Sequence, residues 1–339
     1  MLSTLEPKIG IEKYHSNILS TIGQTPLVHL TRLSGQHDFS VFGKMESFNL
    51  GGSIKDRTAF NMLSQALASG HIKTGDTIIE SSSGNMALGL AQACKFFGLK
   101  LIIVFDPKAN VHTEKILKTY GAKLVRITHE EPQGGFLESR IKKVQELLNE
   151  HPNSHRLNQY ENSANPETHY QTMSEITYAL HQKVDYIFIS TSTCGTLMGC
   201  AHYIYENRLP TKIISVDVKG SVTFGQKEGK RLIPGHCSGK PSNFLILDLI
   251  YDIIHISDEE CIKACWNLLE NEAILCGGSS GAVISAIEKY APAIPAGTNC
   301  VAILCDRGER YLDTIYNKDW INEHFQDIKF SHRLISDNH

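Results

Sequence analysis

The sequence has no uninterrupted apolar run of about 18 residues, the length that a helix needs to cross a membrane. Its N-terminus also lacks the basic segment followed by an apolar stretch that is typical of a signal peptide. No dense block of Lys and Arg occurs, and the formal net charge is −3 with an isoelectric point near 6.6, so the charge pattern of a nucleic-acid-binding protein is missing. We expect a cytoplasmic protein whose partners are small molecules, with neither nucleic acid nor membrane among them.

Several motifs that identify common sites are also missing. There is no HExxH, no CxxC, no GxxxxGK[ST] phosphate loop and no GxGxxG dinucleotide fingerprint. The nine cysteines are an odd number and lie mostly in apolar segments, so we interpret them as reduced core residues rather than a disulfide framework. Cys261 and Cys265 could share a metal on a predicted helix, but no second ligand pair accompanies them. We therefore predict no metal site.

The sequence does contain a regular alternation of short apolar runs and helical patterns. With 339 residues, 41% hydrophobic and 20% charged, the chain is long enough for two domains that share a cleft. Such alternation predicts parallel βαβ units with right-handed crossovers, and hence an α/β fold of two open parallel-sheet domains. Strands are predicted at 25–30, 40–46, 76–80, 99–105, 122–127, 186–190, 212–218, 253–257 and 300–305, with a turn at 34–37. Helices are predicted at 84–97, 135–149, 170–181 and 258–271. Three further helices are predicted by one end only: one ends at 120, one begins at 196 and one ends at 290.

Two segments interrupt this alternation. The polar stretch 151–166 is predicted to be the crossing between the domains. The run 218–243 holds five glycines and two prolines, so we predict a long functional loop there. The expected division is N-terminal strands in 1–52 that join the large domain, a small domain at 53–155, the large domain at 156–325 and a tail at 326–339.

The stretch Gly51–Arg57, GGSIKDR, places a lysine where a structural role is hard to find. Its glycines and serine predict a loop and a helix N-cap near Ser53, so Lys55 falls in the first turn of a helix. A cation there opposes the positive end of the helix dipole, and a desolvated lysine has a lowered pKa and can act as a nucleophile or base. On this stretch alone, the simpler interpretation is a solvated lysine on a surface helix.

Three further loops follow predicted strands, where open α/β sheets bind ligands. Ser81–Asn85 (SSSGN) opens a helix whose N–H groups suit a carboxylate, and Ser192–Thr196 (STCGT) opens one that suits a phosphate. Gly277–Gly281 (GGSSG) is the third. Each alone could be an ordinary helix cap, but their coincidence in one chain predicts a ligand site.

The ordered set GGSIKDR, SSGN, NQYENSANP, STCGT, GGSSGA and GERYL resembles the pyridoxal-phosphate (PLP) β-family of fold type II, which includes cysteine synthase and cystathionine β-synthase. The resemblance covers roughly residues 18 to 320. It implies that pyridoxal 5'-phosphate is bound in the cleft between the two domains, with the substrate on the small domain and the cofactor on the large one. It also implies a homodimer.

The resemblance further implies roles for individual residues. Lys55 matches the lysine that binds the cofactor covalently, and Asn85 matches the asparagine that hydrogen-bonds the cofactor hydroxyl. Ser279 matches the serine at the pyridine nitrogen, where a neutral hydroxyl favours β-elimination over transamination. The residues that match the phosphate loop are Ser192, Thr193, Cys194, Gly195 and Thr196, and those that match substrate-binding positions are Ser82, Ser83, Met86 and Gln159.

This sequence departs from the family pattern in two loops. The usual TSGNTG reads SSGNMA, which replaces a threonine donor by Met86, and GTGGT reads STCGT, which loses two glycines. Cofactor binding should survive because the donors of that loop are largely backbone N–H groups. The stretches VDVKGSVTFG, GGFLESRIKKVQELL and DRGERYLD resemble the branch that makes N-(2-amino-2-carboxyethyl)-L-glutamate from O-phosphoserine and glutamate, in the route to 2,3-diaminopropionate for siderophores.

On this resemblance the protein is expected to be a PLP-dependent transferase. Lys55 would take the Cα proton of O-phosphoserine, phosphate would leave, and the α-amino group of glutamate would add at Cβ. Two alternatives stay open: a cysteine synthase that uses sulfide, and a catalytically silent homologue that uses its loops for protein contact. The presence of Lys55, Asn85 and Ser279 argues against the silent homologue.

O-phosphoserine and glutamate together bring several negative charges into one cleft, so cations are expected to line it. Lys219 follows the strand predicted at 212–218 and matches a position that bears a cation in phosphoserine-using relatives. Arg140 borders the apolar stripe of its helix, beside Leu137 and Val144. An ordinary surface cation is the alternative for both.

Overall fold

The computed structural model describes residues 14–107, 109–132, 135–229, 231–236, 241–325 and 328. Residues 1–13 and nearly all of the expected tail at 326–339 lie outside the described residues. The described chain forms two separate β-sheets with helices packed on both faces of each. No helix in the described ranges is long and apolar enough to span a membrane.

The larger sheet has six strands in the order β1-β2-β10-β7-β8-β9. All neighbours are parallel except β1, which pairs antiparallel with β2. The N-terminal strands therefore belong to the same sheet as strands from the second half of the chain. The strands are β1 Leu27–His29, β2 Ser40–Met45, β7 Tyr186–Ser190, β8 Lys212–Val218, β9 Asp252–Ile256 and β10 Asn299–Leu304.

The smaller sheet has four parallel strands in the order β5-β4-β3-β6. They are β3 Thr77–Ser81, β4 Lys100–Phe105, β5 Lys123–Arg126 and β6 Ser154–His155. The helices of the chain are α1 Thr31–Ser34, α2 Lys55–Ala68, α3 Asn85–Phe97, α4 Val111–Thr119, α5 Gly135–Glu150, α6 Ala164–Ala179, α7 Gly195–Glu206, α8 Asp258–Glu272, α9 Gly278–Tyr290 and α10 Lys318–His324. The predicted fold class, two parallel-sheet α/β units, is confirmed.

Alternating side chains of the central strands enter two different cores. Phe188 of β7 and Ala302 of β10 pack into the core on one face of the larger sheet, while Ile187 and Ile303 pack into the core on the other. All four side chains are fully buried. Burial on both faces explains why these strands are continuous apolar runs rather than alternating ones.

The structure differs from the sequence-based expectation in several elements, among them the short strand β6, which lies inside the polar stretch 151–166 that carried no strand pattern. The expected turn at 34–37 is preceded by the short helix α1, whose first N–H groups at Arg32 and Leu33 bind the carboxylate of Glu272 at 2.8 Å. Helix α6 begins at Ala164 rather than near residue 170. Pro166 lies in the first turn of α6, where its missing N–H costs nothing, so the proline that indicated a loop is compatible with the helix start.

The eight cysteines of the described ranges are free thiols, and all but Cys305 are buried. Cys261 and Cys265 pack inside the core beneath Gly281, where a Cβ on the glycine would collide with both residues. Within the described ranges, no group of three or more His, Cys, Asp or Glu side chains could hold a metal ion. Core packing is therefore the role that the structure supports for this cysteine pair.

Candidate active site

A cavity of about 1090 Å³ lies at the carboxyl ends of strands from both sheets. Ser81 and Asp106 line it from the smaller sheet, and Ser190 and Cys305 from the larger one. This is the edge at which parallel sheets bind ligands. The sequence-predicted residues that line the cavity are Lys55, Ser82, Ser83, Asn85, Met86, Arg140, Gln159, Ser192, Thr193, Cys194, Gly195, Thr196 and Ser279.

Lys55 is the first residue of α2 and faces the cavity, as the helix-start pattern predicted. The preceding loop is bonded to the end of β10, where the N–H of Ile54 donates to the carbonyl of Cys305 at 2.8 Å and Ser53 pairs with Asp306. Burial lowers the pKa of the Lys55 amine, and no described residue accepts a hydrogen bond from it. The backbone at Lys55 is therefore held in place, and the amine is available to a ligand.

A buried ion network holds the start of α2 against the larger sheet. Arg57 donates to Glu46 at 2.8 Å and to Glu175 at 2.7 Å, and Lys44 donates to the same Glu175 carboxylate at 2.6 Å. These groups come from α2, from β2 and the turn after it, and from α6. Because each buried charge has a partner, the network tolerates burial and fixes the direction in which α2 leaves the loop.

The loop between β3 and α3 presents a helix N-terminus to the cavity. Helix α3 begins at Asn85, and its N-cap residue Gly84 supplies no side-chain hydrogen bond to the first turn. The N–H groups of that turn therefore need an external acceptor, which suits a carboxylate. Ser82 and Ser83 add hydroxyls beside them, whereas Met86 is 3% exposed and belongs mainly to the core.

The loop between β7 and α7 presents a second helix N-terminus. Cys194, the N-cap of this helix, has a φ of 64° and forms no side-chain cap. This left-handed conformation normally favours glycine, so the loss of a glycine at this position costs backbone strain of about 1 kcal/mol. The geometry is thus consistent with the expectation that STCGT still forms an anion-binding turn despite its two lost glycines.

Asn165 supports this loop from behind. Its Nδ2 donates to the carbonyl of Gln159 at 2.7 Å and to Oγ1 of Thr193 at 3.1 Å. A Cβ on Gly195 would collide with the Asn165 side chain, which explains the glycine that this sequence keeps. His169, whose pKa is lowered far below its ordinary value by burial, lies 3.3 Å from Oγ1 of Thr196.

Ser279 is the second residue of α9 and is 4% exposed, although the sequence placed it in a loop. Its hydroxyl lies within hydrogen-bonding reach of the Cys305 thiol, whose pKa burial raises to about 12. The wall of the cavity at this point therefore carries two neutral groups, a hydroxyl and a thiol.

Arg140 extends from α5 to the cavity and is paired with Asp106, with 3.1 Å between Nη1 and Oδ2. Its Nε–H is buried and has no acceptor in the described structure. Arg140 is therefore a cation at the cavity with one unused donor, rather than an ordinary surface residue.

The structure does not bring Lys219 to the cavity, contrary to the expectation that it faces the substrate. Its side chain is exposed, and its backbone N–H continues the ladder to the edge strand β9 by donating to Ile256 at 2.9 Å. The cavity instead lies at the ends of β7 and β10, in the middle of the larger sheet. An ordinary surface cation is thus the interpretation that the geometry supports.

Sequence reasoning did not assign several polar residues that line the cavity. Arg156 is one, and its Nε lies 3.3 Å from Oε1 of Glu80. Arg310 is another: it donates to Oδ1 of Asn85 and to the carbonyl of Gly51. Arg310 belongs to the motif GERYL, but a motif of neighbouring residues does not indicate contacts with residues more than 200 positions away. Arg231, Tyr160 and Tyr311 also line the cavity.

The groups around the cavity fit pyridoxal phosphate. An unpaired amine of lowered pKa suits an aldehyde, the start of the 12-residue helix α7 suits a phosphate, and a neutral hydroxyl at Ser279 suits a pyridine nitrogen. The remaining volume and the start of α3 leave room for an amino-acid substrate.

Comparisons with known proteins agree with this chemistry. N-(2-amino-2-carboxyethyl)-L-glutamate synthase of Ralstonia nicotianae is 42% identical over 306 residues, which are 90% of each chain. The protein of the same name from Cupriavidus metallidurans is 41% identical over 310 residues, covering 90% of this chain and 91% of that protein.

Solved structures of similar fold lead to the same family. Cysteine synthase from Entamoeba histolytica superimposes with a TM-score of 0.85 at 33% identity, over 93% of this chain and 94% of that one. O-ureido-L-serine synthase gives 0.84 at 29% identity, over 93% and 97%. A family model described as "Pyridoxal-phosphate dependent enzyme" matches residues 18–306, and the chain therefore belongs to this family of pyridoxal-phosphate dependent enzymes.

Proposed function

We propose that this enzyme catalyses a β-replacement in which O-phospho-L-serine and L-glutamate give N-(2-amino-2-carboxyethyl)-L-glutamate and phosphate, as a step toward the siderophore precursor 2,3-diaminopropionate. The observation that carries the proposal is the unpaired Lys55 amine between two helix N-termini and an arginine-lined wall. The two synthases of this name, at 42% and 41% identity, support the choice of substrates.

Pyridoxal phosphate, when bound, withdraws electrons from the substrate Cα and so makes the Cα proton acidic. Lys55 is the residue that would bind the cofactor aldehyde; the amino group of O-phosphoserine would then displace it, and the freed Lys55 amine would move this proton. Its desolvated amine is a stronger candidate base near neutral pH than an exposed lysine, because its lowered pKa leaves more of it unprotonated. Lys55 takes the proton from Cα as the Cβ–O bond to phosphate breaks, and it returns a proton after the glutamate nitrogen has bonded to Cβ.

The two helix N-termini would bind different anions, one the phosphate of the cofactor and the other the carboxylate of the substrate. The N–H groups of the 192–196 loop, with the hydroxyls of Thr193 and Thr196, bind the cofactor phosphate. The 82–86 loop, with Gln159, which also lines the cavity, would bind the substrate carboxylate. Asn85 would hold the cofactor hydroxyl, and Ser279 would lie at the pyridine nitrogen. Arg140 provides positive charge for the phosphate of O-phosphoserine or a carboxylate of glutamate.

A cysteine synthase is the second candidate, because the Entamoeba histolytica cysteine synthase is 33% identical and has the same fold. We further propose a homodimer, and a division into N-terminal strands at 1–52, a small substrate-binding domain at 53–155 and a large cofactor-binding domain at 156–325. Light scattering of the purified protein, with twice the mass of the 37.7 kDa chain as the expected result, tests the dimer.

The function is tested by offering the purified enzyme O-phosphoserine with glutamate or with sulfide in parallel, and identifying the products by mass spectrometry. We expect a yellow protein whose visible band changes with O-phosphoserine and which forms the glutamate adduct with release of phosphate. Formation of cysteine without the glutamate adduct would support the second candidate. A colourless protein that takes up no pyridoxal phosphate would contradict both.

A further inference from the structure

The side-chain amide of Asn85 is held on both sides by residues from the other half of the chain. Its Nδ2 donates to Oδ2 of Asp306 at 2.8 Å, and its Oδ1 accepts from Nη1 of Arg310. Asn85 follows β3 of the smaller sheet, whereas Asp306 and Arg310 follow β10 of the larger one. The two contacts therefore cross from one sheet unit to the other at the wall of the cavity.

The Asp306 carboxylate is rigidly placed. It is 1% exposed, and its Oδ2 also accepts from the hydroxyl of Tyr311 at 2.6 Å. Its Oδ1 lies against Gly277, where a Cβ would collide with it. Burial raises the pKa of this carboxyl, but Oδ2 is the oxygen that accepts from both Tyr311 and Asn85, so Asp306 presents an acceptor to Asn85 and cannot rotate away without losing its contact with Tyr311.

Arg310 is fixed in a similar way. Its Nη2 donates to the carbonyl of Gly51, and its own carbonyl accepts from Nδ2 of Asn110 at 2.7 Å. A guanidinium has only donors and stays protonated, so it requires an acceptor from Asn85. Between a donor-only and an acceptor-only neighbour, the amide has one favourable orientation, with its oxygen toward Arg310 and its nitrogen toward Asp306.

In this orientation one N–H of Asn85 remains uncommitted among the described residues, and Asn85 lines the cavity. We propose that Asp306 and Arg310 are positioning residues that keep this N–H, rather than the amide oxygen, directed at the hydroxyl oxygen of bound pyridoxal phosphate. The inference rests on the proposed contact between Asn85 and the cofactor. A donor at that oxygen favours its ionised form, whereas a flipped amide would place one oxygen against another.

The test compares Asp306→Asn, Asn85→Ala and the double variant with wild-type enzyme. Three quantities are measured: the dissociation constant of pyridoxal phosphate by fluorescence titration, the pH dependence of the visible band of the bound cofactor, and the thermal unfolding of the cofactor-free protein. Asp306→Asn should weaken cofactor binding about 10-fold and shift the pH midpoint of the band upward by about one unit. Asn85→Ala should do the same, and the double variant should match Asn85→Ala alone, because Asp306 acts through Asn85.

Asp313→Asn is the matched control, since it removes the same charge from the same segment at a side chain that is 74% exposed. It should leave all three quantities unchanged. Arg310→Lys keeps the charge but replaces the two nitrogens that donate to Asn85 and Gly51 by a single ammonium, so it should hold the Asn85 amide less firmly and shift the band in the same direction as Asp306→Asn. It also provides the test if Asp306→Asn does not fold.

The inference is overturned if these variants bind the cofactor with wild-type affinity and an unchanged band, or if the effects of Asp306→Asn and Asn85→Ala add in the double variant. Both of these results leave the proposed function standing. A wild-type protein that takes up no pyridoxal phosphate would instead remove the proposed function together with this inference.

Discussion

The contacts among the described residues give Lys55 no structural role, because its amine has no hydrogen-bond partner there and its side chain faces the cavity. Lys55→Ala should therefore fold normally and lose at least about 1,000-fold in phosphate release from O-phosphoserine, since both the covalent attachment and the base are removed. The rate of phosphate release and the thermal unfolding of the cofactor-free protein are the two measurements. Phosphate release at the wild-type rate would remove Lys55 from the mechanism.

Asp56, the neighbour of Lys55, is predicted to make stability depend on pH. Burial raises the pKa of this carboxyl to about 6, although the N–H of Gly51 donates to Oδ2 at 2.7 Å. Its Oδ1 and the Oε1 of Gln92 are buried acceptors without donors, and both would lie within 3 Å of a Cβ on Gly51. A protonated Asp56 could donate to Gln92, so the folded state holds this proton more tightly than the unfolded state.

Because the pKa is raised on folding, the contribution of Asp56 to stability is greatest below about pH 4 and falls by roughly 2–3 kcal/mol as the pH rises to about 6. Asp56→Asn should remove this loss, because an amide can accept from Gly51 and donate to Gln92 at any pH. Denaturant unfolding of both proteins between pH 4 and 8 measures the difference.

Asp76→Asn is the control, because folding shifts the pKa of Asp76 in the opposite direction to that of Asp56. Its pKa is lowered, chiefly by the N–H of Lys73 and also by His155, so ionised Asp76 stabilises the fold above its ordinary pKa. The contribution of ionised Asp76 is lost only as the pH falls below about 4, so Asp76→Asn should differ from wild type by a nearly constant amount between pH 4 and 8. A difference between Asp56→Asn and wild type that does not vary with pH would show that Asp56 is already ionised in the folded protein.

At the scale of elements, the close approach of α6 and α7 supports the phosphate loop from behind. A Cβ on Gly199 of α7 would collide with the carbonyl of Pro166 and with His169 on α6. Gly199→Ala should therefore push the two helices apart and cost roughly 2–3 kcal/mol of unfolding free energy. Cofactor affinity should fall as well, because Asn165 and His169 contact the loop from α6.

Tyr205→Ala on the same helix is the control, because that side chain is 71% exposed and its loss should change stability by less than about 0.5 kcal/mol. Unfolding by urea and titration with pyridoxal phosphate measure both effects. Equal stability of Gly199→Ala and wild type would mean that α6 and α7 can separate without cost.

At the scale of the whole molecule, selection of anionic substrates depends on which cations the fold brings to the cavity. Arg140 lines it and Lys219 does not, although the sequence made both candidates. Arg140→Ala should lower kcat/KM for O-phosphoserine by about 30- to 1,000-fold, or roughly 2–4 kcal/mol, and should affect O-acetylserine much less.

Lys219→Ala is the matched control, because it removes one positive charge outside the cavity and should leave both serine esters unaffected. The comparison is made by rapid kinetics with each ester, followed by reaction with glutamate. Equal losses for both esters in Arg140→Ala, with unchanged reaction with glutamate, would contradict selection by charge.

The sequence by itself determined most of the elements and the loops. Apolar runs and helical spacing are local signals, so nine strands and the start of α2 could be predicted from neighbouring residues alone. Strand β6 could not, because its two residues lie in the polar stretch 151–166 and form a strand only by pairing with β3. The ordered loop motifs then predicted the family, which the match over residues 18–306 confirms. The residues of each loop reach the cavity because the carboxyl ends of parallel strands share one edge.

Only the tertiary structure decided which side chains meet. The local sequence made both Lys219 and Arg140 candidates for the cavity. The position of Lys219, however, depends on the hydrogen bond of its N–H with β9, and no residue near 219 in the sequence indicates that pairing. The contacts of Asn85 with Asp306 and Arg310 join positions separated by 221 and 225 residues. Such contacts form only when two separate sheets close around one cavity, so packing decides them and no local pattern can predict them.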